Sequence, residues 1–193
     1  MPGAYPKASA WEDYLALPDT VMAEFIDGAV YMMAAPSRAH QKILGRLHYM
    51  IQSKIDAKGG DCEVYPAPFA VRLSAEKNDT VEPDITVICD KSKLTPEGCT
   101  GAPDWIIEIV SPSDPKHDYV DKLKLYLDAG VREYWIVNPM NKSVIVYHLD
   151  AEPFTMESRT FADTIKAGIY DDFSIDFAEI DRLLAEMEEG SGV

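Results

Sequence analysis

Positive charge is scarce in this sequence. Eighteen Lys and Arg face thirty-three Asp and Glu, a net charge of −15, so the surface as a whole repels polyanions at long range. That excludes a protein that coats nucleic acid with its entire face, because phosphate neutralisation supplies most of such affinity. Any contact with nucleic acid must be local, through a basic patch, a metal ion or a partner chain. Long apolar runs are lacking too: none approaches the ~20 residues that cross a bilayer, so no membrane association is expected. The opening MPGAYPKASAWEDYL has no basic segment followed by an apolar one, and no secretory signal is expected. Cysteines are few. Cys62, Cys89 and Cys99 form no CxxC pair and cannot all be bridged to one another, so they are read as plain structural residues of a cytoplasmic protein without structural zinc. Gly-rich phosphate loops, a helix-turn-helix signature and basic stretches interleaved with aromatics are also missing.

What remains is an ordinary globular composition, 47% hydrophobic and 26% charged over 193 residues, which fits one domain with its own core. No repeat, low-complexity segment or linker interrupts it, and residues 1–8 and 189–193 read as flexible ends. Ser9–Leu17 has the pattern of a short amphipathic helix closed by Pro18-Asp19. Asp27-Gly28 between Ala23–Ile26 and Ala29–Met33 predicts a β-hairpin. Ser37 is a helix N-cap, and Ile43, Leu44, Leu47, Ile51 and Ile55 recur at helical spacing to about Ala57, before Gly59-Gly60. Strands are predicted at Cys62–Leu73, Ile85–Cys89 and Trp105–Val110, then a helix from about Pro115 to Ala129 closed by Gly130. A hairpin follows (Glu133–Val137, Ser143–His148), then short strands at Phe154–Phe161 and Ile165–Ile169 and an acidic helix, Phe177–Glu188. Trp11, Trp105 and Trp135 are assigned to the core.

The chemistry concentrates in two acids and a lysine. Pro83 cannot donate to a ladder and belongs at a strand's first position, which puts Asp84 at the strand mouth. Glu108 interrupts the apolar run Trp105–Val110, where an unpaired carboxylate is costly. If the two strands are neighbours, both acids converge on one point, and hard cations such as Mg²⁺ need few protein oxygens beyond that. At 100° per residue, Val120, Leu123 and Leu127 form the expected buried stripe of the next helix. Asp118, Lys122 and Tyr126 lie along its edge at spacing i, i+4, i+8, while Lys124 faces solvent beside Asp121 and Asp128. A lysine at the rim of an acidic pocket can stabilise a phosphorane-like transition state.

The order of these pieces carries a resemblance. Glu82-Pro83-Asp84, then PDWIIEIVSPS (Pro103–Ser113), then Asp118, Lys122 and Tyr126 as D-x-x-x-K-x-x-x-Y, then AGVREYWIVNP (Ala129–Pro139) resembles the Uma-two family of restriction endonucleases. Glu24–Gln41 and Pro66–Leu73 resemble it too, and the likeness runs over roughly residues 11–180. It implies an α/β (α+β) fold of the PD-(D/E)xK type, a mixed central sheet flanked by helices, with Asp84 and Glu108 as the two acids. The superfamily's usual lysine two residues after the second acid is replaced by Val110, and Lys122 stands where the family supplies it from the next helix. Glu24 and His40 match family positions and are read as supporting residues, with Asp118 and Tyr126.

The function expected from this pattern is a DNA endonuclease dependent on Mg²⁺ or Mn²⁺, with Asp84 and Glu108 as metal ligands and Lys122 as electrostatic helper. A homodimer is expected, two-fold dimers being the commonest oligomer. The displaced lysine and the charge of −15 favour the alternative, a catalytically degenerate nuclease fold that binds or regulates. RNA or single strands are equally open as substrates.

Overall fold

The computed structural model describes residues 14–18, 21–74, 76–111 and 117–189. In chain order the elements are β1 (Ala23–Ile26), β2 (Ala29–Met32), α1 (Arg38–Lys58), β3 (Glu63–Pro66), β4 (Ala70–Arg72), β5 (Thr80–Val81), β6 (Ile85–Ile88), β7 (Leu94–Thr95), β8 (Gly98–Thr100) and β9 (Trp105–Ile109). A π-helical turn, His117–Asp121, leads into α2 (Lys122–Ala129). The rest comprises β10 (Glu133–Asn138), β11 (Ser143–His148), β12 (Thr155–Thr160), β13 (Thr164–Lys166), β14 (Ser174–Asp176) and α3 (Phe177–Glu189).

Local signals set most of these boundaries. Ser37 caps α1 by accepting the backbone N–H of His40, and Gly59 closes it at φ 62°, in the left-handed region. Asp27 and Gly28, both at positive φ, turn β1 into β2.

Two six-stranded sheets result. The central one has the order β12-β11-β10-β9-β6-β3, with β9 and β10 parallel and every other neighbour antiparallel. The parallel pair is joined by the crossover that contains α2. The second sheet has the order β2-β1-β5-β4-β8-β7. Period-two alternation sends Trp105, Ile107 and Ile109 of β9 to one face, against Ile43, Leu47 and Ile51 of α1 and Phe177 and Ile180 of α3. Ile106 and Val110 go to the other face, against Tyr126 of α2 and Val71 and Val81 of the second sheet. β9 is covered on both faces, which is why its sequence is nearly continuous in apolar residues. The expected mixed sheet flanked by helices is the architecture seen, and Trp105 and Trp135 are fully buried in it.

Several expectations need correction. The single strand expected at Cys62–Leu73 is two strands: β3 joins the central sheet and β4 the second one. The very short β5, β7 and β8 of that second sheet had no periodic signal long enough to read. Cys62 and Cys89 are not plain structural residues: the register that pairs Glu63 with Ile88 sets them side by side, and they form a disulfide, leaving Cys99 free and buried. The stripe expected to be buried in the helix after β9 is so only in part: Leu123 packs half-buried against the core. Val120 is 54% and Leu127 36% exposed, whereas Lys122 and Tyr126 are buried. The π-helical turn shifts the phase of the helix, and hydrogen bonds to Glu108 satisfy the polar ends of Lys122 and Tyr126. Trp11, residues 9–13 of the first expected helix, the start expected near Pro115, and residues 1–8 and 190–193 of the expected ends lie outside the described residues.

Gly98, at φ 152°, packs so closely that a Cβ there would sit 2.1 Å from the carbonyl oxygen of Ala70. Gly130 is also at positive φ but has open space around it. Gly98→Ala is therefore expected to cost about 2–3 kcal/mol and Gly130→Ala about 1, and urea unfolding of both variants checks the difference. Equal losses would contradict the close approach of β4 and β8.

Candidate active site

Asp84 stands immediately before β6, after Pro83. The register pairs Ile85 with Ile107, and carried back one residue it sets Asp84 opposite Glu108 of β9. The backbone N–H of Asp84 points at Glu108 Oε2 at 3.4 Å. Asp84 Oδ2 accepts the backbone N–H of Ile109 at 2.7 Å and lies 3.0 Å from His40 Nε2. His40 is carried by the first turn of α1, so one helix start positions one acid. Both bonds fall on Oδ2; among the described residues Oδ1 takes none.

Glu108 is held from the opposite side. Its Oε1 accepts Lys122 Nζ at 2.8 Å and the Tyr126 hydroxyl at 2.7 Å. Lys122 Nζ also lies 2.9 Å from Glu24 Oε1, and that oxygen accepts the Glu82 backbone N–H at 3.1 Å. Glu24, Glu108 and Lys122 are each less than 5% exposed. A buried ammonium is tolerable only when paired and hydrogen-bonded, and two carboxylates meet that need here. Burial and the Glu108 charge push the Tyr126 phenol well above its usual range, keeping it a donor. Glu82 is raised as well, by burial first and the Glu24 charge second, with Lys122 opposing.

Asp84, Glu108, Glu24, His40 and Lys122 all line one cavity of about 410 Å³. A cavity of about 500 Å³ beside the C-terminal end of α1 is lined by none of them. Lys124 is exposed, as expected. Asp118 falls in the π-helical turn, and its side chain lies outside the described residues. Sequence reasoning missed Glu82, whose only signal was its place beside Pro83-Asp84, and the apolar wall of Met22, Tyr31, Met32 and Met33. The edge position of β2 in the second sheet brings Tyr31 and Met32 there.

Residues 11–175 match the family model of Uma2, described as "Putative restriction endonuclease". The chain belongs to the Uma2 family. An uncharacterized protein of Synechocystis sp. (slr1290) is 29% identical over 147 residues, 75% of each chain. A crystal structure from Anabaena variabilis, described as a "putative nuclease", has a TM-score of 0.74 at 19% identity and covers 90% of this chain and 97% of its own. At that identity the likeness concerns the fold.

The donor set of this Uma2-family site suits a hard divalent cation. Among the described residues no group of three or more His, Cys, Asp or Glu side chains could hold a metal alone. Mg²⁺ does not require one, since it keeps several waters and takes one or two carboxylates plus substrate phosphate. Three carboxylates (Glu24, Asp84 and Glu108) line the cavity with one lysine, an excess of acid that a cation relieves.

Two stability predictions follow from this wiring. Lys122→Met leaves Glu24 and Glu108 without their cation and is expected to cost about 3–5 kcal/mol without divalent metal. Glu108→Gln keeps the Tyr126 bond and leaves Lys122 paired with Glu24, and should cost under about 1 kcal/mol; chemical denaturation distinguishes them, and a larger loss for Glu108→Gln would contradict the assignment. The second concerns pH. A raised folded pKa at Glu82 means stability present below the unfolded value and lost as pH rises through the folded one. Glu82→Gln should therefore match wild type below about pH 4 and become the more stable of the two as pH rises. A constant difference across the titration would contradict this.

Proposed function

We propose that this chain is a nuclease that hydrolyses DNA phosphodiester bonds with the help of Mg²⁺ or Mn²⁺ held by Asp84 and Glu108. The observation that carries the reading is the opposition of these two carboxylates on adjacent antiparallel strands, in one cavity with a buried lysine 2.8 Å from Glu108. Its family and the nuclease-like fold support the same class of reaction. When bound, the ion would supply Lewis-acid polarisation of the phosphoryl group and a water nucleophile at neutral pH.

The protein's own residues prepare that site. His40 and the Ile109 N–H fix Asp84 through Oδ2, so its orientation does not depend on the substrate. Tyr126 fixes Glu108 through Oε1. Lys122 brings the positive charge that the superfamily pattern places two residues after the second acid, where Val110 is instead buried in the core. Fixed charges and dipoles of this kind stabilise developing charge without reorganising during the reaction. A two-fold homodimer is part of the same proposal.

The test is cleavage of supercoiled plasmid in Mn²⁺ by variants purified side by side. Asp84→Ala, Glu108→Ala and Lys122→Ala should each lose about 100-fold or more, while Lys124→Ala retains activity and EDTA abolishes it. Equal activity in wild type and Asp84→Ala would contradict the proposal. No cleavage by any variant in any metal would favour the binding or regulatory module instead.

A further inference from the structure

The cavity that holds the carboxylates has a second half that the hydrolytic chemistry does not use. Its wall is apolar, built from Met22, Tyr31, Met32 and Met33, and Tyr31 and Met32 on edge strand β2 are each 41% exposed. Among the described residues the cationic side chains in the lining are Lys122 and His40, and both are engaged by carboxylates. With a net charge of −15, a duplex backbone finds little here to grip. Beside a bound ion, the apolar wall offers a further source of affinity through its aromatic ring and thioethers: every nucleobase has a π-face, and stacking on a side chain is tolerant of sequence. A base within a duplex is already stacked and must be extruded before it can enter. We infer that the methionine–tyrosine wall receives an unstacked nucleobase, and that the substrates of this site are nucleic acids with unpaired bases: single strands, loops or mismatches.

This inference rests on the nuclease reading but is tested by binding, so the two can fail separately. The probe is a short fluorescent single-stranded DNA carrying 2-aminopurine, with its duplex as control, titrated in Ca²⁺. Single strand should bind more tightly than duplex, with 2-aminopurine quenched on binding and a salt dependence far shallower than phosphate-driven binding gives. Tyr31→Ala should weaken single-strand binding about tenfold, and Tyr31→Phe, which keeps the ring, should restore it. Duplex bound as tightly as single strand, or Tyr31→Ala without effect, overturns the inference. Tyr31-dependent binding with no cleavage in Mn²⁺ would uphold it and overturn the nuclease reading alone.

A different observation concerns the free edge of the central sheet, β12. Phe161 N–H bonds to the carbonyl of Lys142, its direct opposite in the β11–β12 register. Alternation then turns the N–H and C=O of Thr155, Glu157 and Arg159 toward β11, and those of Met156, Ser158 and Thr160 outward. Thr160 is closed by Asp163, which accepts its N–H and donates to its carbonyl. Among the described residues the outward groups of Met156 and Ser158 meet no partner, next to exposed Phe154 (44%) and Met156 (54%). On a chain so acidic, this strand is neutral, with one Glu and one Arg on one face. The geometry points to a second copy of this chain as the occupant. A two-fold axis at Glu157 pairs Met156 with Ser158 of the partner subunit and the reverse; it sets the two Glu157 carboxylates opposite each other, each between its own Arg159 and, on the diagonal, Arg159 of the partner subunit, so that the two arginines offset their repulsion.

Sedimentation equilibrium tests it on the whole chain. Wild type should be dimeric. Ser158→Pro, which removes an outward N–H and spares the β11 ladder, and Arg159→Glu, which turns the charged cluster acidic, should both be monomeric with circular dichroism spectra like wild type. Wild type monomeric throughout, or well-folded variants as dimeric as wild type, overturns the assignment.

Discussion

Lys122 is almost entirely out of water, and its ammonium group lies between Glu24 of the second sheet and Glu108 of the central sheet. This one contact ties together three elements far apart in the chain: the hairpin strand β1, the central strand β9 and the helix α2. A charge in that position is unfavourable unless every donor finds an acceptor, so the hairpin, strand and helix are constrained to one arrangement. The cavity is the consequence. Bringing Glu24 and Glu108 to a common lysine leaves Asp84, opposite Glu108 and just before β6, beside them, and His40 at the start of α1 completes the wall.

Much of this was legible in the sequence, for physical reasons that also explain the failures. The N-cap at Ser37, the Asp27-Gly28 turn and Gly59 are local chemistry, read directly from residue type. Glu108 was legible because an acid in an apolar strand contradicts its surroundings, and Lys122 was separated from Lys124 by helical phase alone. That same phase misplaced Val120 and Leu127, since a π-helical turn, which no residue type announces, rotates the helix. Of the second sheet the β1–β2 hairpin was legible, whereas β5, β7 and β8 escaped because they are two or three residues long and are defined by partners rather than by periodicity. The Cys62–Cys89 disulfide depends on the β3–β6 register, which spacing in sequence does not reveal. The apolar wall of the cavity was invisible for a similar reason: Tyr31 and Met32 read as hairpin residues until the fold places them beside the acids.

The net charge of −15, awkward for the nuclease proposed above, becomes coherent in this arrangement. Negative charge is concentrated where a divalent ion is proposed, and bound metal there inverts the local field. Basic residues are not needed to grip a backbone if the ion meets the phosphate and an apolar wall meets the base. The same acidity confines contact between two copies to a neutral strip, and β12 is such a strip.

The central claim is that Asp84 and Glu108 hold one divalent cation between them. A crystal soaked in Mn²⁺ tests it most directly, through anomalous density at the manganese absorption edge. The account predicts one strong peak within coordinating distance of both carboxylates, lost in Asp84→Ala. A peak elsewhere, or none at a concentration that supports cleavage, would contradict it.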